Sequence, residues 1–427
     1  MQSIESQVEH EQHLPSPNWN RMFARRTTLM KRTAVRELLK VTSRLDLISF
    51  AGGLPAAELF PMRRVQSAFN SVLERVGGQS LQYGETEGVR ELREWIAREC
   101  NSRISSRAEG RNGDFEPLIT VENVLITSGS QQALDLIGRV LLEEGDRVVV
   151  ENPTYLALLA AWRPLGVEFL AVESDADGMR TQVLETPLRQ GPKLIYVTPN
   201  FQNPQGTTLS PERRQHLFDL AREHGVGIVE DNPYGQLRYG GKALPDILDL
   251  EFQSNGGVGP KNVIYTGTFS KVLMPGLRVG WIIAHPELIE KLVHAKQAAD
   301  LHTSSLNQHL VLELLRQGFI DEFVPILLQN YRQRRDAMLD ALQRYFPPAI
   351  TWSRPEGGIF LMLKLPESLD ATALLPAALE LGVAYVPGEE FHLHGQGRNT
   401  VRLNFSNANI VQIENGIKRL ADLFSSD

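Results

Sequence analysis

The segment T-G-T-F-S-K-V-L-M-P-G-L-R-V-G-W, residues 266–281, places one lysine, Lys271, among hydroxyl residues and just ahead of a Pro-Gly turn. Arg278 follows seven residues later, where a second apolar run begins. A buried lysine in this setting suits an aldehyde held as a Schiff base. The neighbouring hydroxyls and the arginine suit a phosphate. Aldehyde and phosphate together point to pyridoxal phosphate, and the remaining polar residues can be asked whether they complete its site.

Several of them stand where short apolar runs end. Asp231 closes V-G-I-V-E-D, and a carboxylate there can pair with a pyridinium nitrogen. It is equally suited to a turn before Asn232-Pro233. Tyr234, three residues on, can hydrogen-bond a phenolic oxygen or simply pack. Asn203, in P-N-F-Q-N-P-Q-G, has an amide that can donate to the same oxygen, although an Asn-Pro turn needs no function. Tyr155, in E-N-P-T-Y, can stack on a ring or fill core. Ser128-Gly129-Ser130-Gln131 ends a strand and opens a helix, so free N–H groups and the positive dipole end are available to an anion. The plainer reading is a serine N-cap. Arg402, in T-V-R-L-N-F, interrupts an apolar strand, which suits either a bidentate carboxylate clamp or a structural ion pair.

These positions need a scaffold that brings strand ends together. From about Val121 the chain alternates apolar runs with helical patterns: V-E-N-V-L-I-T-S-G, R-V-V-V-E, E-F-L-A-V, K-L-I-Y-V-T, V-G-I-V-E-D, N-V-I-Y-T-G and V-G-W-I-I-A read as strands. Such alternation implies an α/β fold with a mainly parallel sheet covered on both faces. In open sheets of this kind, ligands bind beyond the carboxyl ends of the strands. Two long helical patterns follow, Glu287 to about Gln317 and about Asp321 to Tyr345. From Ile350 the grammar changes to that of a smaller α+β unit. The expected division is a mobile tail over 1–16, an N-terminal helix and segment packing with the small domain over 17–60, a large cofactor-binding domain over 61–320 and a small domain over 321–427.

Composition narrows the class. The 427 residues are 42% hydrophobic and 22% charged, with a formal net charge of -7, as expected for a soluble globular protein and not for a nucleic-acid binder. No apolar run reaches the roughly 18 residues that mark a membrane span. The polar, acidic start resembles neither a signal nor a transit peptide. A single cysteine, Cys100, allows no internal disulfide and fits a reducing compartment, so a cytoplasmic location is expected. Cys100 lies in the helical pattern E-L-R-E-W-I-A-R-E-C and is expected to pack. The ten histidines are scattered, and His392-Leu393-His394 is a lone H-x-H, so no metal is expected.

Taken in order, I-S-F-A-G-G-L-P (48–55), L-Q-Y-G-E-T-E-G (81–88), T-S-G-S-Q-Q (127–132), E-N-P-T-Y (151–155), P-N-F-Q-N-P-Q-G (199–206), V-E-D-N-P-Y (229–234), T-F-S-K-V-L-M-P-G-L-R-V-G (268–280) and V-R-L-N-F-S (401–406) resemble the class I/II aminotransferases of PLP fold type I. The similarity is greatest to the branch of 2-aminoadipate and kynurenine aminotransferases and covers roughly residues 33–425. The resemblance implies a seven-stranded sheet in the large domain. It makes Lys271 the cofactor-bearing lysine and Asp231 the pyridinium partner. Tyr234 and Asn203 would hold the phenolic oxygen and Tyr155 would stack on the ring. Ser130, Gln131, Thr268 or Ser270, and Arg278 would bind the phosphate. Tyr83 would reach the phosphate of a neighbouring subunit, implying a homodimer with shared active sites. Arg402, with Asn203 and Gly53, would receive the substrate.

The implied reaction moves an amino group between an L-amino acid and a 2-oxo acid such as 2-oxoglutarate, by a ping-pong route. The same branch uses a mobile N-terminal helix as a lid. Here that helix is T-A-V-R-E-L-L-K, where Arg36 would meet an acidic side chain or merely be solvated. A lyase or decarboxylase on the same fold is the first rival, because fold does not fix reaction. The effector-binding half of a transcription regulator is the second, although only about 47 residues precede I-S-F-A-G-G-L-P.

Overall fold

The computed structural model of the chain describes residues 17–30, 47–108 and 118–425. The expected tail over 1–16, the helix over 33–41 and Arg36 therefore lie outside the described residues. An eight-stranded sheet forms the larger layer, in the order Val124–Thr127, Gly280–Ile283, Val263–Thr268, Gly227–Asp231, Leu194–Val197, Arg147–Asn152, Glu168–Asp175 and Gly178–Met179. Seven of these are the strands read from the sequence. The eighth, two residues long, pairs antiparallel with the end of Glu168–Asp175 at the sheet edge and is too short to leave a pattern.

The central strands are apolar throughout because helices cover both faces: Val124–Thr127, Leu194–Val197, Val263–Thr268 and Gly280–Ile283 bury every residue. Gly280–Ile283 runs against both its neighbours, and the strands from Val263–Thr268 to Glu168–Asp175 pair parallel. Thr127, Asn152, Val197, Asp231 and Thr268 consequently finish at one edge. The polar segments that carry the chemistry start there.

A four-stranded antiparallel sheet, ordered Thr351–Trp352, Phe360–Lys364, Thr400–Asn404 and Val386–Pro387, forms the second layer. The run V-A-Y-V-P is bent between two pairings. Val383–Ala384 pairs parallel with Ile48–Ser49, while Val386–Pro387 joins the four-stranded sheet. The N-terminal segment is thereby tied to the C-terminal part of the chain. Residues 17–30 behave differently: Arg25–Leu29 lies against Arg163–Leu165, and Arg25 pairs with Glu144 at 3.0 Å. Of the described residues within 17–60, those at 25–29 thus lie against the large layer, and Ile48–Ser49 pairs with the C-terminal part.

The helical pattern expected over Glu287–Gln317 is broken into Pro286–Asp300 and Ser305–Arg316. Leu301 takes a left-handed φ of 65°, and the Ser304 hydroxyl caps the second helix by accepting from the Asn307 N–H at 3.3 Å. Apolar periodicity continues across this break, which is why the sequence reads as one helix. The next helix, Phe319–Tyr345, packs along the last one, Ile410–Phe424. Cys100 is buried in the main core, as its helical position led us to expect.

Candidate active site

Asp231 ends the strand in the middle of the large sheet and is 2% exposed. Its Oδ1 accepts the Thr266 hydroxyl at 2.7 Å and its Oδ2 accepts the Tyr196 phenol at 2.8 Å. Among the described residues the groups that act on its charge are these two hydroxyls, with no lysine, arginine or histidine. Burial raises its pKa, and the two hydroxyl donors pull it back. A buried carboxylate held only by neutral donors lacks a counter-ion, and a pyridinium nitrogen would supply one.

Lys271 lies in the loop after Val263–Thr268, and its Nζ donates to the Gly53 carbonyl at 2.8 Å. Burial, then repulsion from Arg402 and Arg278, lowers its pKa to about 8. The amine is therefore partly neutral near physiological pH, as a nucleophile must be.

Gly129 opens the Ser130–Leu141 helix at φ 85°, with no side chain capping the N-terminus. A Cβ on Gly129 would run into the guanidinium of Arg278. Arg278 takes a left-handed φ of 52°, donates to the Ser128 carbonyl at 2.8 Å and lies 3.4 Å from the Ser270 hydroxyl. Thr268 and Ser270 hydrogen-bond each other at 2.9 Å. An uncapped helix start, two hydroxyls and a guanidinium converge as a phosphate requires. Asp300 braces this loop by accepting from Ser128 at 3.1 Å, Gln132 at 2.6 Å and Lys296 at 2.6 Å. The helix break at Leu301 lets the chain turn away directly after Asp300.

Ser130, Gln131, Tyr155, Asn203, Asp231, Tyr234, Thr268, Ser270, Lys271 and Arg278 line one cavity of about 160 Å³, joined by Thr198, Pro233 and Pro275. Larger cavities lie elsewhere, but none of them contains Lys271. Burial raises the pKa of both Tyr155 and Tyr234, so both phenols stay protonated. The residues present fit pyridoxal phosphate at every group: ring nitrogen, phenolic oxygen, aldehyde and phosphate.

Arg402, on the small sheet, does not line the cavity itself but meets Asn203 of its wall. One Nη donates to Asn203 Oδ1 at 2.9 Å, and the other to the Ala51 carbonyl at 2.6 Å. Its guanidinium carbon lies over the ring of Phe360 at 4.2 Å and over that of Phe391 at 5.0 Å. Its Nε is buried without a hydrogen-bond partner. Burial lowers its pKa to about 10, which leaves it charged at neutral pH. Tyr83 is not part of this chain's cavity and stands 78% exposed, edge-on to His302. Tyr196, Thr266, Phe360 and Phe391 were not singled out in the sequence. The first two lie in apolar strands and read as core, and phenylalanine carries no polar signal.

Fold and site together define a pyridoxal-phosphate enzyme of fold type I. Residues 47–420 match the family "Aminotransferase class I and II", and the chain belongs to it. It is 40% identical over 430 residues to aromatic-amino-acid aminotransferase 1 of Thermococcus litoralis, covering 99% of each chain. Against the 2-aminoadipate transaminase of Thermus thermophilus the identity is 41%, over 94% of this chain and 96% of the relative. The structure of an alpha-aminoadipate aminotransferase of Thermus thermophilus, complexed with N-(5'-phosphopyridoxyl)-L-leucine, superposes with a TM-score of 0.87 at 40% identity, covering 96% and 98% of the two chains. The protein is a pyridoxal-phosphate-dependent aminotransferase. Among the described residues no helix is long and apolar enough to cross a membrane, and no cluster of ligating side chains is arranged for a metal ion.

Proposed function

We propose that the enzyme takes the amino group of a dicarboxylic L-amino acid, such as 2-aminoadipate or glutamate, and passes it to a 2-oxo acid such as 2-oxoglutarate in ping-pong fashion. Aromatic and branched-chain donors are admitted at lower rate. The observation that carries the reading is Arg402, a buried guanidinium bonded to Asn203 on the cavity wall and stacked over two phenylalanine rings. Its place suits the α-carboxylate that every amino acid shares. Relatives named for 2-aminoadipate, aromatic amino acids and kynurenine support a wide donor range that includes an acidic donor.

Bound pyridoxal phosphate supplies an electron sink for the pair left at Cα. Lys271 would hold it through Nζ and, as a free amine, would carry the Cα proton. Asp231 would pair, as the carboxylate, with the protonated ring nitrogen. Tyr234 and Asn203 bind the phenolic oxygen, and Tyr155 covers the ring face. Ser130, Gln131, Thr268, Ser270 and Arg278 hold the phosphate. Gly53 accepts from Lys271 and borders the substrate, and Arg36 meets the acidic side chain. Tyr83, exposed here, reaches the site of a second subunit, so the working form is a homodimer. The reading includes a large unit over 61–320, a small one over 321–427 and a cytoplasmic location.

Half-reactions with single amino acids test the donor assignment through the change in cofactor absorbance. Glutamate and 2-aminoadipate should react faster than leucine or phenylalanine. Arg36→Ala should cost acidic donors about tenfold to a hundredfold in kcat/KM and leave neutral donors nearly unchanged. Arg402→Lys should raise KM for every donor. Equal rates for acidic and neutral donors would remove the acidic preference. Release of ammonia or an amine in place of the oxo acid would replace transamination by lyase or decarboxylase chemistry.

A further inference from the structure

The geometry around Asp231 assigns a task to two residues outside the cavity's own ligand set. Thr266 and Asp231 are register partners on adjacent parallel strands, and the Thr266 hydroxyl donates to Oδ1 at 2.7 Å. Tyr196, on the strand to the other side, donates its phenol to Oδ2 at 2.8 Å. The Tyr196 oxygen is approached in turn by the Thr198 hydroxyl at 3.3 Å. Tyr196 is fully buried, and its ring meets Trp162 edge-on at 6.1 Å. The indole is itself held by a hydrogen bond to the Leu134 carbonyl at 2.8 Å. The phenol therefore has a fixed approach to the carboxylate, and each oxygen of Asp231 carries one neutral donor.

Donors to a carboxylate stabilise its anion and weaken it as a base. Where a carboxylate faces a ring nitrogen, the shared proton rests on the stronger base of the two. We infer that Tyr196 and Thr266 keep Asp231 a weaker base than its burial alone would make it, so that the proton between Asp231 and the cofactor's ring nitrogen rests on nitrogen. Tyr196 is a positioning residue that acts through Asp231, and Thr198 supports it by donating to the phenol oxygen, which polarises the O–H toward Asp231. The inference rests on Asp231 being the ring's partner. A plain structural role is the alternative: a buried phenol needs an acceptor, and Asp231 happens to provide one.

Enzyme reconstituted with pyridoxal phosphate carrying ¹⁵N in the ring distinguishes the two. In Tyr196→Phe the ring ¹⁵N resonance should move from the pyridinium toward the pyridine position. The dissociation constant for the cofactor should rise by about tenfold. Thr266→Val should shift the resonance in the same direction, and Thr266→Ser, which keeps the hydroxyl, should restore it. A folded Tyr196→Phe protein with an unshifted resonance would overturn the inference. Should Tyr196→Phe not fold, the Thr266→Val and Thr266→Ser pair decides, and no difference between them overturns it equally. Asp231→Ala is the separating control. If the ring nitrogen stays protonated without Asp231, the assignment of Asp231 itself is wrong, whatever the Tyr196 variant does.

Discussion

Lys271→Ala is expected to abolish the visible absorbance of lysine-bound cofactor and to lower turnover by about 10⁴-fold, because anchor and proton carrier disappear together. Absorbance spectra and an oxo-acid assay check both losses. An alanine variant that still transaminates at the parent rate would sink the assignment. The lowered pKa of Lys271 gives the same residue a pH signature. Only the neutral amine attacks an aldehyde, and burial together with Arg402 and Arg278 brings the pKa from the usual lysine value down to about 8. At pH 7 about a tenth of the lysine is then neutral, against less than about one in a thousand for an ordinary lysine. Cofactor uptake by the cofactor-free protein should therefore rise about tenfold per pH unit below 8 and level off above it. A flat profile from pH 6 to 8 would show that the neutral amine is not limiting.

Asp231→Ala is expected to lower kcat by about 10²–10³-fold and to weaken cofactor binding, since the ring loses the charge that keeps its nitrogen protonated. Asp231→Glu keeps the charge but lengthens the side chain in a site where both oxygens are already committed to Thr266 and Tyr196. It should recover binding better than rate. Equilibrium titration with the cofactor, beside steady-state kinetics, separates the two. An Asp231→Ala enzyme that binds and turns over like the parent would remove Asp231 from the site.

The residues that anchor and bind were readable because polar side chains at the ends of apolar runs stand out. Lys271, Asp231, Asn203 and Arg278 are all of this kind, and the cavity brings them together. Tyrosine and threonine residues that act from within an apolar strand were not readable. Tyr196 in L-I-Y-V-T obeys the same pattern as a packing tyrosine, and Thr266 looks like any β-branched strand residue. Only the pairing of neighbouring strands turns their hydroxyls onto Asp231. The helix break at Leu301 was hidden for a related reason. Apolar spacing runs through it, and the turn is stabilised by Asp300 reaching residues far away in sequence, Ser128 and Gln132.

The sequence by itself determined the fold class, the cofactor, the reacting lysine and the order in which the ligands arrive. Those are properties of local pattern: strand and helix periods, and residue types whose chemistry has few other uses in combination. Tertiary structure alone decided the surroundings that set how those groups behave. Arg402 meets two aromatic rings because the small sheet brings Phe360 beside it and the segment after Val386–Pro387 supplies Phe391. Lys271 is deprived of solvent and faces Arg278, seven residues on, together with Arg402, which is distant in the chain. Asp231 stands in the sheet's interior with a hydroxyl on each oxygen. Charge, burial and hydrogen bonding depend on distance in space, and strand pairing sets that distance among residues far apart in sequence.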